Sequence, residues 1–165
     1  KMIQDLTFIT RVREDIRNIR EVVRARFLEN LRREFSNKYE ELREDDEYVM
    51  DVLPNYEPIA YDSGTKVPIQ TLSGGEKTSV ALAYRLALAE IAANGSDIDK
   101  PELLILDEPN YGFDRIDIKA LPQTLRNIKT IPQIIIVSHE EELKQSADYK
   151  YEVDKKEGTS IVTCL

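Results

Sequence analysis

From Ile3 to about Arg43 the chain contains neither proline nor glycine. Within that stretch Ile9, Val12, Ile16, Ile19 and Val23 recur at alternating spacings of three and four, the seam pattern of a coiled coil. A helix of that length reaches about 60 Å at 1.5 Å per residue, more than a small domain can cover, so part of it must protrude. After Val23 the apolar positions become Phe27, Leu28, Leu31 and Phe35, a broader face suited to packing on a globular body. The pattern predicts an arm that merges into a body: a coiled-coil base helix over residues 1–45 and a globular unit over residues 46–165.

The rest of the chain alternates between strand and helix signals. Tyr48 to Leu53, Ile59 to Asp62 and Lys66 to Gln70 are separated by Pro54-Asn55-Tyr56-Glu57-Pro58 and by Ser63-Gly64, which predicts an antiparallel meander. From Gly75 to about Ala93 the period becomes helical, with Val80, Ala83, Tyr84, Ala87, Leu88 and Ile91 on one face and Asn94-Gly95 as a stop signal. Leu103 to Leu106 is an unbroken apolar run, as a strand buried on both faces requires. A helix around Ile116 to Ile128 and a second apolar strand, Ile134 to Val137, complete a βαβ unit with a right-handed parallel crossover. Ser138, with Glu141 three residues on, reads as the capping box of a short helix. Tyr149 to Asp154 and Thr159 to Cys164 close the chain as a hairpin.

The net charge of −8 would argue against a nucleic-acid partner were it evenly spread. It is not: residues 1–43 carry 11 Lys/Arg against 8 Asp/Glu, which leaves −11 on the remainder. Eight arginines between Arg11 and Arg33 make the first helix either a phosphate- or partner-contacting surface or a solvated helix laced with Glu–Arg pairs. No apolar run approaches the roughly 18 residues of a membrane span, and no signal-peptide pattern opens the chain. A soluble, intracellular protein is expected, and Lys1, standing inside a helical pattern, suggests a piece of something longer. The single cysteine, Cys164, excludes an internal disulfide and a multi-cysteine zinc site, and its place in an apolar strand predicts burial.

Three motifs carry chemistry. Leu72-Ser73-Gly74-Gly75-Glu76-Lys77 stands between a strand and a helix, where two residues without side chains let backbone N–H groups approach a polyphosphate and Ser73 adds a hydroxyl donor. Alternatively, Ser73 only caps the helix and the glycines serve a turn. The segment is not a P-loop, since that loop requires Gly immediately before Lys and none of the six glycines is followed by lysine. Leu103 to Leu106 leads into Asp107-Glu108-Pro109, and the carboxyl end of a parallel strand is where α/β sheets bind ligands. There Asp107 is suited to holding Mg²⁺ and Glu108 to polarising a water for attack on a γ-phosphate, the alternative being an acidic strand end that only faces solvent. His139, the only histidine, follows the second strand at the same edge and either donates to a phosphate oxygen or is an incidental loop residue.

In this order and spacing the motifs resemble the C-terminal lobe of ABC-type ATPases, over roughly Gln70 to Leu143. The resemblance implies that Leu72 to Glu76 is the signature motif, Leu103 to Glu108 the Walker B strand and glutamate, Asp114 the last residue of the D-loop and His139 the switch histidine. Asn110 stands where the family commonly has threonine, and Phe113 where it has leucine. A coiled-coil seam running straight into the lobe looks like SMC-type proteins. Glu76-Lys77-Thr78 through Tyr84-Arg85-Leu86-Ala87-Leu88, with Val137-Ser138-His139-Glu140-Glu141-Glu142-Leu143, is most similar to the SMC-like ATPase of double-strand-break repair, which works with a partner nuclease.

The resemblance implies a fold of class α/β: a parallel βαβ core, a helical signature region, a terminal hairpin and an N-terminal coiled-coil helix. It further implies that two heads sandwich ATP with Mg²⁺. Ser73, Gly74 and Gly75 would act in trans, whereas Asp107, Glu108 and His139 would act on their own head's nucleotide, and Asp114 would couple the two sites. Expected partners are the N-terminal lobe that carries the P-loop, a second head, the repair nuclease docked on Val22, Val23 and Phe27, and DNA, with no membrane. ATPase activity would need the N-terminal lobe, the chain being inactive alone, and the family's zinc hook would lie outside the chain. The expected location is cytoplasmic and DNA-associated, nuclear in a eukaryote. A chromosome-organising SMC head and a non-hydrolysing dimerisation module remain the alternatives.

Overall fold

The computed structural model describes residues 2–43, 48–95, 100–113, 115–156 and 158–165. Helix α1 runs from Met2 to Leu42 without interruption, as a stretch free of proline and glycine allows. From Phe8 to Phe27 it is bare: Ile9, Ile16, Ile19, Val22 and Val23 are all exposed. Burial begins at Leu28 and is complete at Leu31, Phe35, Tyr39 and Leu42, spaced four, four and three apart so that they share one face. The seam and the body-packing face lie on one helix, with the change at the point the apolar pattern predicts.

That buried face packs mainly on helix α2, Gly74–Asn94. Phe35 meets Tyr84 edge to face with ring centroids 5.4 Å apart. Lys38, nearly fully buried, reaches Glu90 of α2 at 3.1 Å and Glu41 of its own helix at 3.4 Å. Tyr39 is buried alongside, and loss of solvent pushes its hydroxyl up to about 12, so it stays neutral. The last turn of α1 is tied to helix α3, Arg115–Asn127, by Arg43 to Asp117 at 3.1 Å and by the Thr124 hydroxyl donating to the Glu41 carbonyl at 3.1 Å.

Strands β1 (Val49–Val52), β2 (Pro58–Asp62) and β3 (Thr65–Val67) form the expected antiparallel meander. Ser63 and Gly64, at φ 48° and 82°, supply the two left-handed residues of a tight hairpin. The third strand is shorter than its sequence suggests. Pro68 cannot donate to the ladder, and Ile69–Thr71 turns into a 3-10 helix that leads to α2. Arg32 of α1 donates to the Val52 carbonyl at 2.7 Å and pairs with Asp51 at 3.0 Å, fastening the meander to the helix.

Strands β4 (Leu103–Asp107) and β5 (Gln133–Val137) pair in parallel with α3 between them, completing the βαβ unit. Here the structure corrects the expectation of burial on both faces. Leu104, Leu106, Ile134 and Ile136 turn inward, but Leu103, Ile105, Ile135 and Val137 are exposed, Ile105 at 61 %. The described residues cover one face of this sheet only. The terminal hairpin, β6 (Tyr151–Lys156) with β7 (Thr159–Cys164), is exposed at every described position. Cys164 is therefore exposed rather than buried, because among the described residues nothing covers either face of the hairpin that carries it.

Ser138 is not a helix cap either. Helix α4 spans Glu141–Ser146 with Glu140 at its N-cap and no side-chain cap bond, since Ser138 lies too far upstream and is otherwise engaged. Among the described residues no helix is long and apolar enough to cross a membrane.

Lys38 gives a test of how α1 is held. Truncation to Ala leaves Glu90 of α2 largely buried against α1 without its cation, and the expected loss is about 3 kcal/mol by chemical denaturation. Lys38→Met combined with Glu90→Leu, which removes both charges, is expected to recover most of it.

Candidate functional site

The first turn of α2 is built by a reciprocal cap. The Glu76 N–H donates to the Ser73 hydroxyl oxygen at 3.3 Å, and the Ser73 N–H donates to the Glu76 carboxylate at 2.6 Å. Ser73 thus does cap the helix, as one of the two sequence readings holds. The cap also decides which donors remain: the N–H groups of Gly74 and Gly75 and the hydroxyl proton of Ser73 are left for an anion at the positive end of the helix. Ser-x-x-Glu at 73–76 is the sequence signal for this box, the same local pattern that Ser138 forms with Glu141.

The two glycines have different reasons to be glycines. A Cβ on Gly74 would meet nothing within 4 Å, whereas a Cβ on Gly75 would lie 2.7 Å from the carbonyl oxygen of Gly112. Gly75 is where the loop after β4 rests on α2. Gly112, at φ 83°, lies in turn against Gly74 and the Thr78 hydroxyl.

That loop begins at the carboxyl end of β4. Asp107, on the exposed face, is the last residue of the strand, and the Glu108 N–H extends the ladder by donating to the Val137 carbonyl at 2.8 Å. Glu108 itself adopts φ 43°, a left-handed conformation that costs a residue with a Cβ on the order of 1–2 kcal/mol. Two turns follow. The Tyr111 N–H donates to the Glu108 carbonyl at 3.2 Å across Pro109, and the Phe113 N–H donates to the Asn110 carbonyl at 3.0 Å across Gly112. Proline at the second position of the first turn and a left-handed glycine at the third position of the second are the residues such turns demand.

His139 leaves the end of β5 and meets Glu108, with Nε2 3.3 Å from the carboxylate. Its side chain is 97 % exposed and that of Glu108 37 %, so the pair stands at an open edge. Beside it, Asn110 is only 6 % exposed and its Oδ1 accepts from the Ser138 hydroxyl at 3.0 Å. Neither Asn110 nor Ser138 was singled out as a site residue in the sequence; Asn110 was visible only as a departure from the threonine common at its place.

The predicted residues therefore fall into groups. Glu108 and His139 come together at the sheet edge, with Asp107 adjacent. Ser73, Gly74 and Gly75 share the helix end on which residues 109–113 pack. Asp114 lies outside the described residues. Val22 and Val23 form an open apolar surface on α1, but Phe27 is partly used by the fold, its ring edge to face with Tyr56 at 5.8 Å. The Tyr56 carbonyl accepts from Tyr84 at 2.7 Å, and a hydrogen bond to Tyr56 holds the Arg24 guanidinium above its ordinary range. No group of three or more potential metal ligands occurs among the described residues. A Mg²⁺ held by one carboxylate, waters and substrate phosphates needs none.

No protein-family model matches the chain. Among curated proteins it is 46 % identical over 101 residues to a DNA double-strand break repair Rad50 ATPase of Sulfolobus acidocaldarius, an alignment covering 61 % of this chain and 11 % of that protein. The corresponding Rad50 ATPase of Archaeoglobus fulgidus is 36 % identical over 163 residues, covering 93 % of this chain and 18 % of that protein. The chain thus spans less than a fifth of the length of these relatives. Among solved structures, the Smc head domain with a coiled coil and joint of Pyrococcus yayanosii superposes with a TM-score of 0.76 at 22 % identity, covering 92 % of this chain and 30 % of that one. The Smc head of Pyrococcus furiosus with an extended coiled coil, bound to the C-terminal domain of ScpA, gives 0.73 at 21 % identity, covering 92 % and 39 %. These likenesses establish the fold: an α/β ATPase-head lobe that carries a coiled-coil helix.

The contrast between the two glycines is measurable without nucleotide. Gly75→Ala is expected to lower the thermal midpoint by several degrees, because the Gly112 carbonyl must move. Gly74→Ala, whose Cβ meets open space, is expected to leave it unchanged or slightly raised.

Proposed function

From a chain that is the C-terminal part of an ABC-type ATPase head homologous to those of Rad50 ATPases, we propose that it supplies the catalytic and trans-acting half of an ATP-dimerised head in DNA double-strand-break repair. The observation that carries the proposal is the approach of Glu108 and His139 at 3.3 Å at the carboxyl end of two parallel strands. A carboxylate and an imidazole at that edge are positioned to handle the attacking water and a phosphate oxygen of one nucleotide.

Each residue then has a task. Glu108 orients and polarises the water. His139 donates to a γ-phosphate oxygen, and its contact with Glu108 keeps the two on the same nucleotide. Asp107 would hold Mg²⁺, which would supply charge neutralisation for the phosphates. The Ser73 hydroxyl and the free N–H groups of Gly74 and Gly75 act on the nucleotide of a second head, so ATP joins two heads and its γ-phosphate stabilises the closed state. Asp114 is proposed to couple the two sites.

The exposed apolar face of β4 and β5 and the bare hairpin support a second lobe of the same head as the immediate partner. With no P-loop in its sequence, the chain alone is expected to give no turnover. Val22 and Val23, with the rim of Phe27, are proposed as the docking site for the repair nuclease, and the arginine-rich helix as a DNA-facing surface. The likeness to Smc heads keeps a chromosome-organising role as the second reading, distinguished by whether the arm base captures a nuclease or a kleisin-type bridging subunit.

Light scattering of this chain mixed with its N-terminal lobe tests the core of the proposal. ATP is expected to drive dimers in wild type and none in Ser73→Arg, and dimers that form equally in both would refute a trans role for the signature motif. Glu108→Gln is expected to keep ATP-dependent dimers while hydrolysis falls at least a hundredfold or so. Val23→Glu is expected to weaken nuclease capture, and unchanged capture would remove that surface from the proposal.

A further inference from the structure

The ladder between β4 and β5 ends where the Glu108 N–H meets the Val137 carbonyl. Beyond it two loops diverge, one bearing Glu108 and the other His139. Among the described residues one hydrogen bond joins them apart from the Glu108–His139 approach itself: the Ser138 hydroxyl donates to Asn110 Oδ1 at 3.0 Å. The same hydroxyl oxygen accepts from the Glu140 N–H at 3.2 Å, so it is committed on both sides. The His139 side chain is almost fully exposed and has no packing to hold it. The backbone around it is held instead, before it by the Val137 carbonyl and the Ser138 hydroxyl and after it by the Glu140 N–H, which donates to that same hydroxyl.

We infer that Asn110 and Ser138 are a positioning pair that sets the distance between Glu108 and His139, and so the rate of the chemical step rather than the affinity for nucleotide or for a second head. The inference rests on the reading of Glu108 and His139 given above. Asn110 suits this task by its burial and its place in the chain. Its side chain is shielded from water that would compete for the bond, and its carbonyl closes the turn across Gly112 that rests on Gly75. A shift of Asn110 would therefore be felt at both the sheet edge and the signature helix. Glu108 itself is held at φ 43°, a conformation that persists only when its surroundings impose it, and Asn110 lies inside the turn that the Glu108 carbonyl closes with the Tyr111 N–H.

The test uses the complete head assembled from this chain and its N-terminal lobe. Asn110→Ala and Ser138→Ala are each expected to lower kcat for ATP hydrolysis about tenfold or more, because small misplacements of reacting groups are costly. The double variant is expected to be no slower than either single one, as two halves of one bond require. The ATP concentration for half-maximal dimerisation should move less than about threefold, and Ser138→Thr, which keeps a hydroxyl, should retain the wild-type rate. Wild-type kcat in both alanine variants would overturn the inference, as would losses that multiply in the double variant. So would a fall of kcat, dimerisation and thermal midpoint together that Ser138→Thr fails to rescue, since that is the signature of a merely structural bond. Should Asn110→Ala not fold, Ser138→Ala, which removes a single oxygen, decides the matter with Ser138→Thr. Glu108→Gln separates the two levels: wild-type hydrolysis there sinks the reading of Glu108. Slow hydrolysis there with wild-type rates in Asn110→Ala and Ser138→Ala sinks only the positioning pair.

Discussion

The parallel pairing of β4 and β5 governs what the rest of the chain can do. Parallel strands need a crossover, which α3 supplies, and they end side by side, which brings residues 31 positions apart in sequence to one edge. Asp107 and Glu108 arrive from one strand and His139 from the other. Because a parallel ladder is slanted and evenly spaced, the last bond, from Glu108 to Val137, fixes the relative height of the two strand ends. The side chains beyond it inherit that register. The same pairing creates a demand: both faces of the two strands are apolar in sequence, and the described residues cover only one. The exposed isoleucines and leucine are the physical reason to expect a second lobe on the other side.

A second constraint links that edge to the arm. Helix α2 is gripped by α1 through Phe35 on Tyr84 and Lys38 on Glu90. At its first turn it is in contact with the loop after β4, through Gly75 and Gly112. A displacement at the sheet edge is thus one rigid helix away from the arm, and α1 runs without proline or glycine from the body into its exposed seam. Tyr56 closes the link on the other side. It is itself in a left-handed conformation, with its ring on Phe27 and its carbonyl receiving Tyr84, so the meander turn bridges the two helices.

Much of this was legible in the sequence because it rests on period and punctuation. The change along the first helix from a narrow seam to a broad face is visible in Val23 and Phe27, and the strand ends in Asp107-Glu108 and His139 follow from apolar runs of the right length. What was not legible depends on what packs where. An apolar strand such as Leu103 to Leu106 states that both faces want cover but not which chain provides it, so burial of Ile105 and of Cys164 was misjudged. Ser138 looked like a cap because Ser-x-x-Glu is a local pattern. In the fold its hydroxyl is claimed by Asn110, 28 residues away, which no local pattern reveals. Ser73, with the same pattern, is a cap because nothing distant competes for it.

The cap at Ser73 also bears on how one residue can serve both fold and function. A hydroxyl has one proton to give and lone pairs to receive. Ser73 receives the Glu76 N–H, which settles the helix start and leaves its proton free. Glu76 occupies the Ser73 N–H and brings a negative charge to the very helix end where an anion would bind. That charge disfavours an anion on an unpaired lobe and makes the helix end alone a poor site. Binding there becomes favourable when the anion arrives already held by other cations and donors. That is the condition a composite site between two heads would meet, and a reason for such a motif to act in trans rather than by itself.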